Sequence, residues 1–307
     1  MKWVKFIIML ALIAGSAFAQ YERPGSSAEQ ALKIDVSARG AGMAGAYISM
    51  VRGAEATYYN PAVIVELEGT DIALNHNEWF AGINHEFLAI THNFGSYGAF
   101  GFSIMGLYTD EMKVRTPLQP DGTGESFYAG SYVLGLTYAR RLTDNVTFGG
   151  SVKYLTSKLY DRFSANAVLM DISANFDTGF RGHRFGLSIT NFGQSITYVN
   201  EEYPMPTAFT FGMSINALEA DNYKLAVVGS ATKPNDGPPL GKAGTEFNFL
   251  DMFFLRAGYN IGHEVAKYAF GLGAEQKLIG ITIRLDYAYS DFSDLGGAHR
   301  IGMGFSF

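Results

Sequence analysis

The feature that most constrains this chain is a period of two that recurs from about Asp71 to the C-terminus. Ile279, Ile281, Ile283, Leu285, Tyr287 and Tyr289 alternate with Gly280, Thr282, Arg284, Asp286 and Ala288. Phe209, Phe211, Met213 and Ile215 alternate with Thr210, Gly212, Ser214 and Asn216. Helical geometry would scatter these apolar residues around an axis, whereas a strand sends every second side chain to one face. Fourteen such segments can be counted, near 71–79, 86–94, 97–109, 127–141, 145–158, 162–176, 182–192, 206–217, 223–232, 240–248, 251–260, 265–275, 279–290 and 297–307. Glycine or polar turns separate them, so the chain reads as all-β.

The N-terminus and the composition decide what surrounds the sheet. Lys2 and Lys5 precede a short apolar run, Phe6 to Ala14, and Ala17-Phe18-Ala19 offers a small-x-small cleavage site. Residues 1–19 therefore read as a secretory signal, too short to span a bilayer. The chain is 48% hydrophobic and only 17% charged, against about 25% charged in an ordinary soluble protein. No later stretch approaches the roughly 20 apolar residues of a membrane helix. An exported, apolar chain of strands has one way to cross lipid, a closed barrel in which every backbone group is paired. The expected fold is a 14-stranded antiparallel β-barrel in the bacterial outer membrane, its partner there being membrane lipid; an even strand number suits such barrels.

Connection lengths orient it. With a periplasmic N-terminus, odd-numbered connections face outward, and the long ones, 110–126, 193–205, 233–239 and 291–296, all fall on that side. The turn at 142–145 falls on the other, the long/short asymmetry of transmembrane barrels. Tyr128 and Tyr138 share one face; at about 3.3 Å per residue and about 40° of tilt they stand about 25 Å apart in height, as aromatic girdles do. In the last segment Ile301, Met303, Phe305 and Phe307 alternate with Gly302, Gly304 and Ser306. A closing strand tipped by an aromatic residue resembles the signal that outer-membrane assembly machinery reads.

Residues 20–70 do not alternate, and the lumen of a 14-stranded barrel is too wide for its own side chains to fill. They are expected to fold as a plug inside a barrel of 71–307. The inward positions of the wall carry Lys153, Arg184, Arg256 and Arg284 against Asp171 and Asp286, and the plug carries Glu29, Lys33, Asp35, Arg39, Arg52 and Glu55. Mixed signs suit a salt-bridged filling better than a pore selective for one charge.

Other chemistry is weakly represented. The absence of cysteine excludes disulfides, thiolate metal sites and thiol catalysis together. No basic cluster invites nucleic acid. Gly40, Gly42 and Gly45 match the dinucleotide-binding spacing, but no βαβ unit follows. These glycines read instead as close backbone approach or positive φ. His76, His85 and His92 are spread over the first hairpin, and no Ser-His-Asp grouping stands out. Neither an enzyme nor a cofactor or metal site is expected.

A family resemblance adds to this reading. Ala38-Arg39-Gly40-Ala41-Gly42-Met43-Ala44-Gly45-Ala46-Tyr47, followed by Ala54 to Ala62 with Tyr59-Asn60-Pro61, resembles the opening signature of PorV/PorQ proteins, a group similar in fold to the FadL transporters. Asn191-Phe192-Gly193, Lys233 to Asp236, Phe254 to Tyr259 and the run from Asp286 to Phe307 extend the resemblance along the mature chain. It implies a non-enzymatic barrel that binds protein partners of a type IX secretion system. Those partners would be its translocon and client proteins carrying a sorting domain, gripped by loops 110–126 and 193–205 and handed on, or else the surface-attachment machinery of that system. The alternative is a FadL-like channel for hydrophobic small molecules.

Overall fold

The computed structural model describes residues 25–160, 163–263 and 265–307; the expected export signal, 1–19, lies outside them. Fourteen strands form one closed antiparallel barrel. In chain order they are β1 (Gly69–Glu78), β2 (Ile83–Asn93), β3 (Ala99–Thr109), β4 (Gly130–Thr143), β5 (Val146–Tyr160), β6 (Phe163–Asp177) and β7 (Arg184–Gly193). The second half comprises β8 (Ala208–Ala220), β9 (Tyr223–Pro234), β10 (Leu240–Phe249), β11 (Phe253–Ile261), β12 (Tyr268–Leu278), β13 (Ile281–Asp291) and β14 (Gly297–Ser306). Each expected segment lies within a few residues of a strand; the wall starts slightly earlier than expected, at Gly69, where β1 pairs with Asn93.

Closure follows from pairing β14 back onto β1, from Asp71 opposite Ser306 to Glu78 opposite His299. Thr70 and Phe307 extend the ladder by exchanging backbone hydrogen bonds of 2.8 and 3.0 Å. The connections 110–129, 194–207, 235–239 and 292–296 leave from the end where β14 begins. The short turns at 144–145, 221–222 and 279–280 share the opposite end with Gly69 and Phe307. Two of the long connections carry small ladders of their own, Met112–Lys113 with Ser126–Phe127 and Ile196–Thr197 with Glu202–Tyr203.

Burial is inverted relative to a water-soluble sheet. Leu134, Leu136, Phe270, Leu272 and Ile301 are exposed on the outside, Leu136 by 66%. Thr137, Ser151, Asp171, Ser173 and Asn175 are buried on the inside. Aromatic rings collect at both edges of the apolar band: Phe94, Phe100 and Tyr138 contact one another in series at the short-turn end, and Tyr259 meets Tyr268 towards the other. Such an exterior is stable against lipid, where apolar side chains lose nothing by exposure, and it places the protein in an outer membrane.

The hydrophobic core lies inside the barrel, between its wall and residues 25–68. Ser37 caps helix α1 (Ala38–Gly42), its hydroxyl accepting from the Gly40 amide. Helix α2 (Ala56–Tyr59) then runs into a 3₁₀ turn, Pro61–Val65, with proline at its first position where no amide is needed. Helix α1 packs on β11 to β14, and the 3₁₀ turn packs on β2 to β6 across the lumen. Met43, Tyr47, Val51, Val63 and Ile64 are almost wholly buried between them.

Glycines in α1 and the wall allow this contact. A Cβ on Gly42 would stand 3.0 Å from the Gly271 Cα of β12, so the two backbones meet with no side chain between them. Gly258 of β11 is packed directly on the Met43 peptide group. Gly258→Ala is therefore expected to destabilise the barrel by about 1–3 kcal/mol, the usual cost of overpacking. Gly229→Ala, whose added methyl meets only the Lys242 carbonyl at 3.8 Å, should be neutral. The temperature at which the folded barrel loses its anomalous gel migration checks both.

Candidate ligand cavity and its ion-paired surround

Most ionisable residues of the lumen gather in two groups, with separate pairs between them. The first joins α1 to the wall. Arg39 donates through Nε and Nη2 to the two carboxylate oxygens of Glu246 on β10, each at 2.7 Å. Arg256 on β11 donates Nε to the same carboxylate at 2.7 Å and Nη1 to Asp286 on β13 at 2.6 Å. Arg52 reaches Glu275 of β12 at 2.5 Å. Close by, Arg284 donates to Asp71 at 2.5 Å and to Ser306 at 2.6 Å, bridging β13, β1 and β14. Asp71 in turn accepts from the Ala54 amide at 2.6 Å. Inward parity of the wall, together with the docking of α1, thus brings Arg39, Arg256, Arg284 and Asp286 into one region.

Lys153, Asp171 and Arg184 stand elsewhere. Lys153 pairs with Asp171 at 2.8 Å on the β5–β6 wall. Arg184 sits at the short-turn end, where it holds Glu66 at 2.8 Å and Asp177 at 2.9 Å. Of the motif residues, Gly40 lies under the rings of Tyr47 and Tyr59, and Gly45 adopts φ 75°. The Tyr59 hydroxyl accepts from the Ser37 amide at 3.2 Å, and Asn60 donates to the Ile48 carbonyl at 3.0 Å. Pro61 begins the 3₁₀ turn. These contacts hold the inner segment in place, and Gly45 and Tyr59 also border the cavity described below.

The second group closes the long-loop end. Ser27, Gln30 and Lys33 converge on buried Asp236 in the β9–β10 connection, Gln30 at 2.8 Å and Lys33 at 2.5 Å. The Ala28 amide donates to the Pro204 carbonyl at 3.0 Å, and Tyr198 donates to Glu29 at 2.7 Å. Residues 27–36 thereby form a strap tied to the loops 194–207 and 235–239. Burial works against the Asp236 carboxylate, but the hydrogen bonds from Lys33, Ser27 and Gln30 and the Lys33 charge outweigh it and hold its pKa below the usual carboxylate range.

Beneath the strap is a cavity of about 190 Å³. Leu32, Ile48, Pro206, Pro234 and Leu240 supply apolar wall, with Tyr58 and Tyr59 at one side. Lys33, Asp35, Lys153 and Lys242 supply charge and Thr190, Asn191, Thr210 and Thr232 polar groups, and among the described residues Lys242 pairs with Asp35 at 3.9 Å. The Tyr58 hydroxyl is engaged with the Leu32 and Ile34 carbonyls, at 3.0 and 2.9 Å, which fixes the strap over the cavity. Alternation did not reveal this site, because its apolar residues come from strap, helical turn, loop and strand. Glu246 has inward parity within 240–248, but alternation alone does not set it apart from other inward residues. The three histidines do not converge: His85 is buried inside, while His76 faces outward beside Glu86.

No protein-family model matches the sequence, and no curated protein matches it. Solved structures do match in fold. The Ralstonia pickettii toluene transporter TbuX superposes with a TM-score of 0.57 at 13% identity, over 87% of this chain and 96% of that one. The P. putida toluene transporter TodX gives 0.57 at 11% identity over 93% and 97%. A Pseudomonas aeruginosa FadL homologue gives 0.50 at 11% identity over 88% and 97%. Identities this low establish a FadL-like outer-membrane barrel fold, and they do not single out the PorV/PorQ group.

Two outcomes follow from the ionic contacts. Glu246→Ala leaves two buried guanidinium groups without their shared carboxylate, which should cost on the order of 3 kcal/mol; it should raise both protease cleavage at Arg39 and ion conductance in planar bilayers. The Asp236 contribution has the sign of a depressed acid. It is complete above the unfolded carboxylate pKa of about 3.9 and disappears as pH falls through the folded value. A fluorophore at Gly25, where an added side chain meets nothing, should therefore report strap release below about pH 4, and Asp236→Asn should abolish that transition.

Proposed function

We propose that this barrel passes hydrophobic small molecules across the outer membrane, with the strap-covered cavity as their binding site. The observation that carries the reading is the cavity itself, which lies beneath the strap with an apolar wall of Leu32, Ile48, Pro206, Pro234 and Leu240. Its roughly 190 Å³ slightly exceeds an engineered 150 Å³ cavity that takes benzene, so a single-ring or similarly small apolar molecule is the right size. The toluene transporters with which the fold is shared support that substrate class. The inner segment acts as the plug of the passage, and the lysines at the cavity margin tune entry rather than bind the apolar body.

A second reading, binding of type IX translocon components or sorting-domain clients, draws on one observation. The connection 110–129 projects beyond the barrel with Leu118 between Pro117 and Pro120, exposed by 93%. A photo-crosslinker at Leu118 that captures a sorting-domain protein in native outer membranes would favour it.

The channel reading is tested with 4-fluorotoluene and the purified protein, followed by fluorine NMR line broadening. Wild type should bind saturably, and Leu240→Trp, which fills the cavity, should weaken binding at least tenfold. Equal broadening by both proteins would sink the assignment.

A further inference from the structure

The lipid-facing wall at β14, β1, β2 and β3 carries a feature that a passage does not need. Strand register stacks three rows of outward side chains there. The row nearest mid-membrane is apolar: Met303, Leu74, Leu88 and Ile104. The next row, towards the long-loop end, is Ile301, His76, Glu86 and Gly106, with Tyr132 of β4 beyond. Above it stand His299, Glu78, Asn84 and Tyr108. Two carboxylates thus face outward with no lysine or arginine in these rows.

The middle row frames a groove of about 490 Å³. Its floor is Gly106, where a Cβ would meet the Tyr132 ring at 3.2 Å and the Tyr108 ring at 3.9 Å. At its head His76 Nδ1 lies 2.7 Å from Glu86 Oε1, and the Tyr108 hydroxyl donates to the same oxygen at 3.5 Å. Among the described residues both contacts fall on Oε1, which leaves Oε2 to a donor from outside. The side chains of His76 and Glu86 are 48% and 42% exposed.

Height makes this unusual. His92 belongs to the aromatic edge at the short-turn end, 4.4 Å from the Phe94 ring. Glu86 is six residues further along β2, a rise of about 15 Å against the roughly 25 Å of a full apolar band. A wall whose apolar face is too short thins the bilayer beside it and draws head groups down. A carboxylate at that depth is matched by a head group that brings positive charge and N–H donors together.

We propose that this groove seats an amine-bearing phospholipid, its ammonium on Glu86 and its acyl chains along Leu74, Leu88, Ile104 and Met303. An ethanolamine head group has three N–H donors for the carboxylate; a choline head group has the same charge and none.

Native mass spectrometry of the protein released from nanodiscs of equimolar phosphatidylethanolamine and phosphatidylcholine tests this. Wild type should retain the ethanolamine lipid at least threefold over the choline lipid, and Glu86→Gln should bring that ratio to about one while leaving heat-modifiable migration unchanged. Gly106→Leu, which fills the groove floor, should lower retention of both lipids. Equal retention by wild type, an unchanged ratio in Glu86→Gln, or unchanged retention in Gly106→Leu would each overturn the proposal. So would preference for a phosphorylated glycolipid added as a third component.

Discussion

A sheet of fourteen strands has two edges, and lipid offers neither of them a hydrogen-bond partner. Pairing β14 with β1 removes both, and the remaining architecture answers the consequences of that closure. The ring encloses more space than its inward side chains can fill, so residues 25–68 occupy it. The seam itself is tied from within: Arg284 spans Asp71 on β1 and Ser306 on β14, and Asp71 also receives the Ala54 amide of the inner segment. The closing ladder and the docking of the inner segment therefore share one carboxylate.

The inner segment is held differently on its two sides. Against β2 to β6, the turn Pro61–Val65 is apolar and buried, with the Ala62 amide donating to Ser173 at 2.8 Å. Against β10 to β13, the contact is ionic, centred on Glu246 between Arg39 and Arg256. Buried ion pairs add little net stability over apolar packing of the same shape, but they strongly penalise a misplaced partner. The ionic side thus sets the register of α1 on the wall, while the apolar side supplies most of the cohesion.

Much of this was legible in the sequence, and for a physical reason. A strand with one face in lipid and one in a polar lumen must alternate, so strand number, inward parity and loop asymmetry could all be read from residues such as Tyr128 to Tyr138 or Ile279 to Tyr289. Parity also places Arg256, Arg284 and Asp286 inside. It cannot say which cation meets which anion, because that depends on the path of the inner segment through the lumen. Lys153 and Arg184 share the inward parity of Arg256 yet belong to separate pairs. The cavity was illegible for the same reason, since Leu32, Ile48, Pro206 and Leu240 become neighbours only when strap, turn and loop converge.

Alternation is informative even where it is interrupted. On β2 the outward sequence is His92, Ile90, Leu88, Glu86, Asn84, and the switch from apolar to polar comes before the full height of the band is reached. On β4 the outward residues Tyr138, Leu136, Leu134 and Tyr132 remain apolar or aromatic over the corresponding stretch. A barrel with uniform lipid contact has no use for that difference, because each polar group on the outer face costs more the deeper it lies. Neighbouring strands share the early switch, with His76 on β1 beside Glu86 and Gly106 opening the wall between them and Tyr132. A lone polar residue would be an isolated defect; the adjacent pair His76 and Glu86, beside a glycine floor and two tyrosines, gives the lipid-facing wall a shape and a charge of its own.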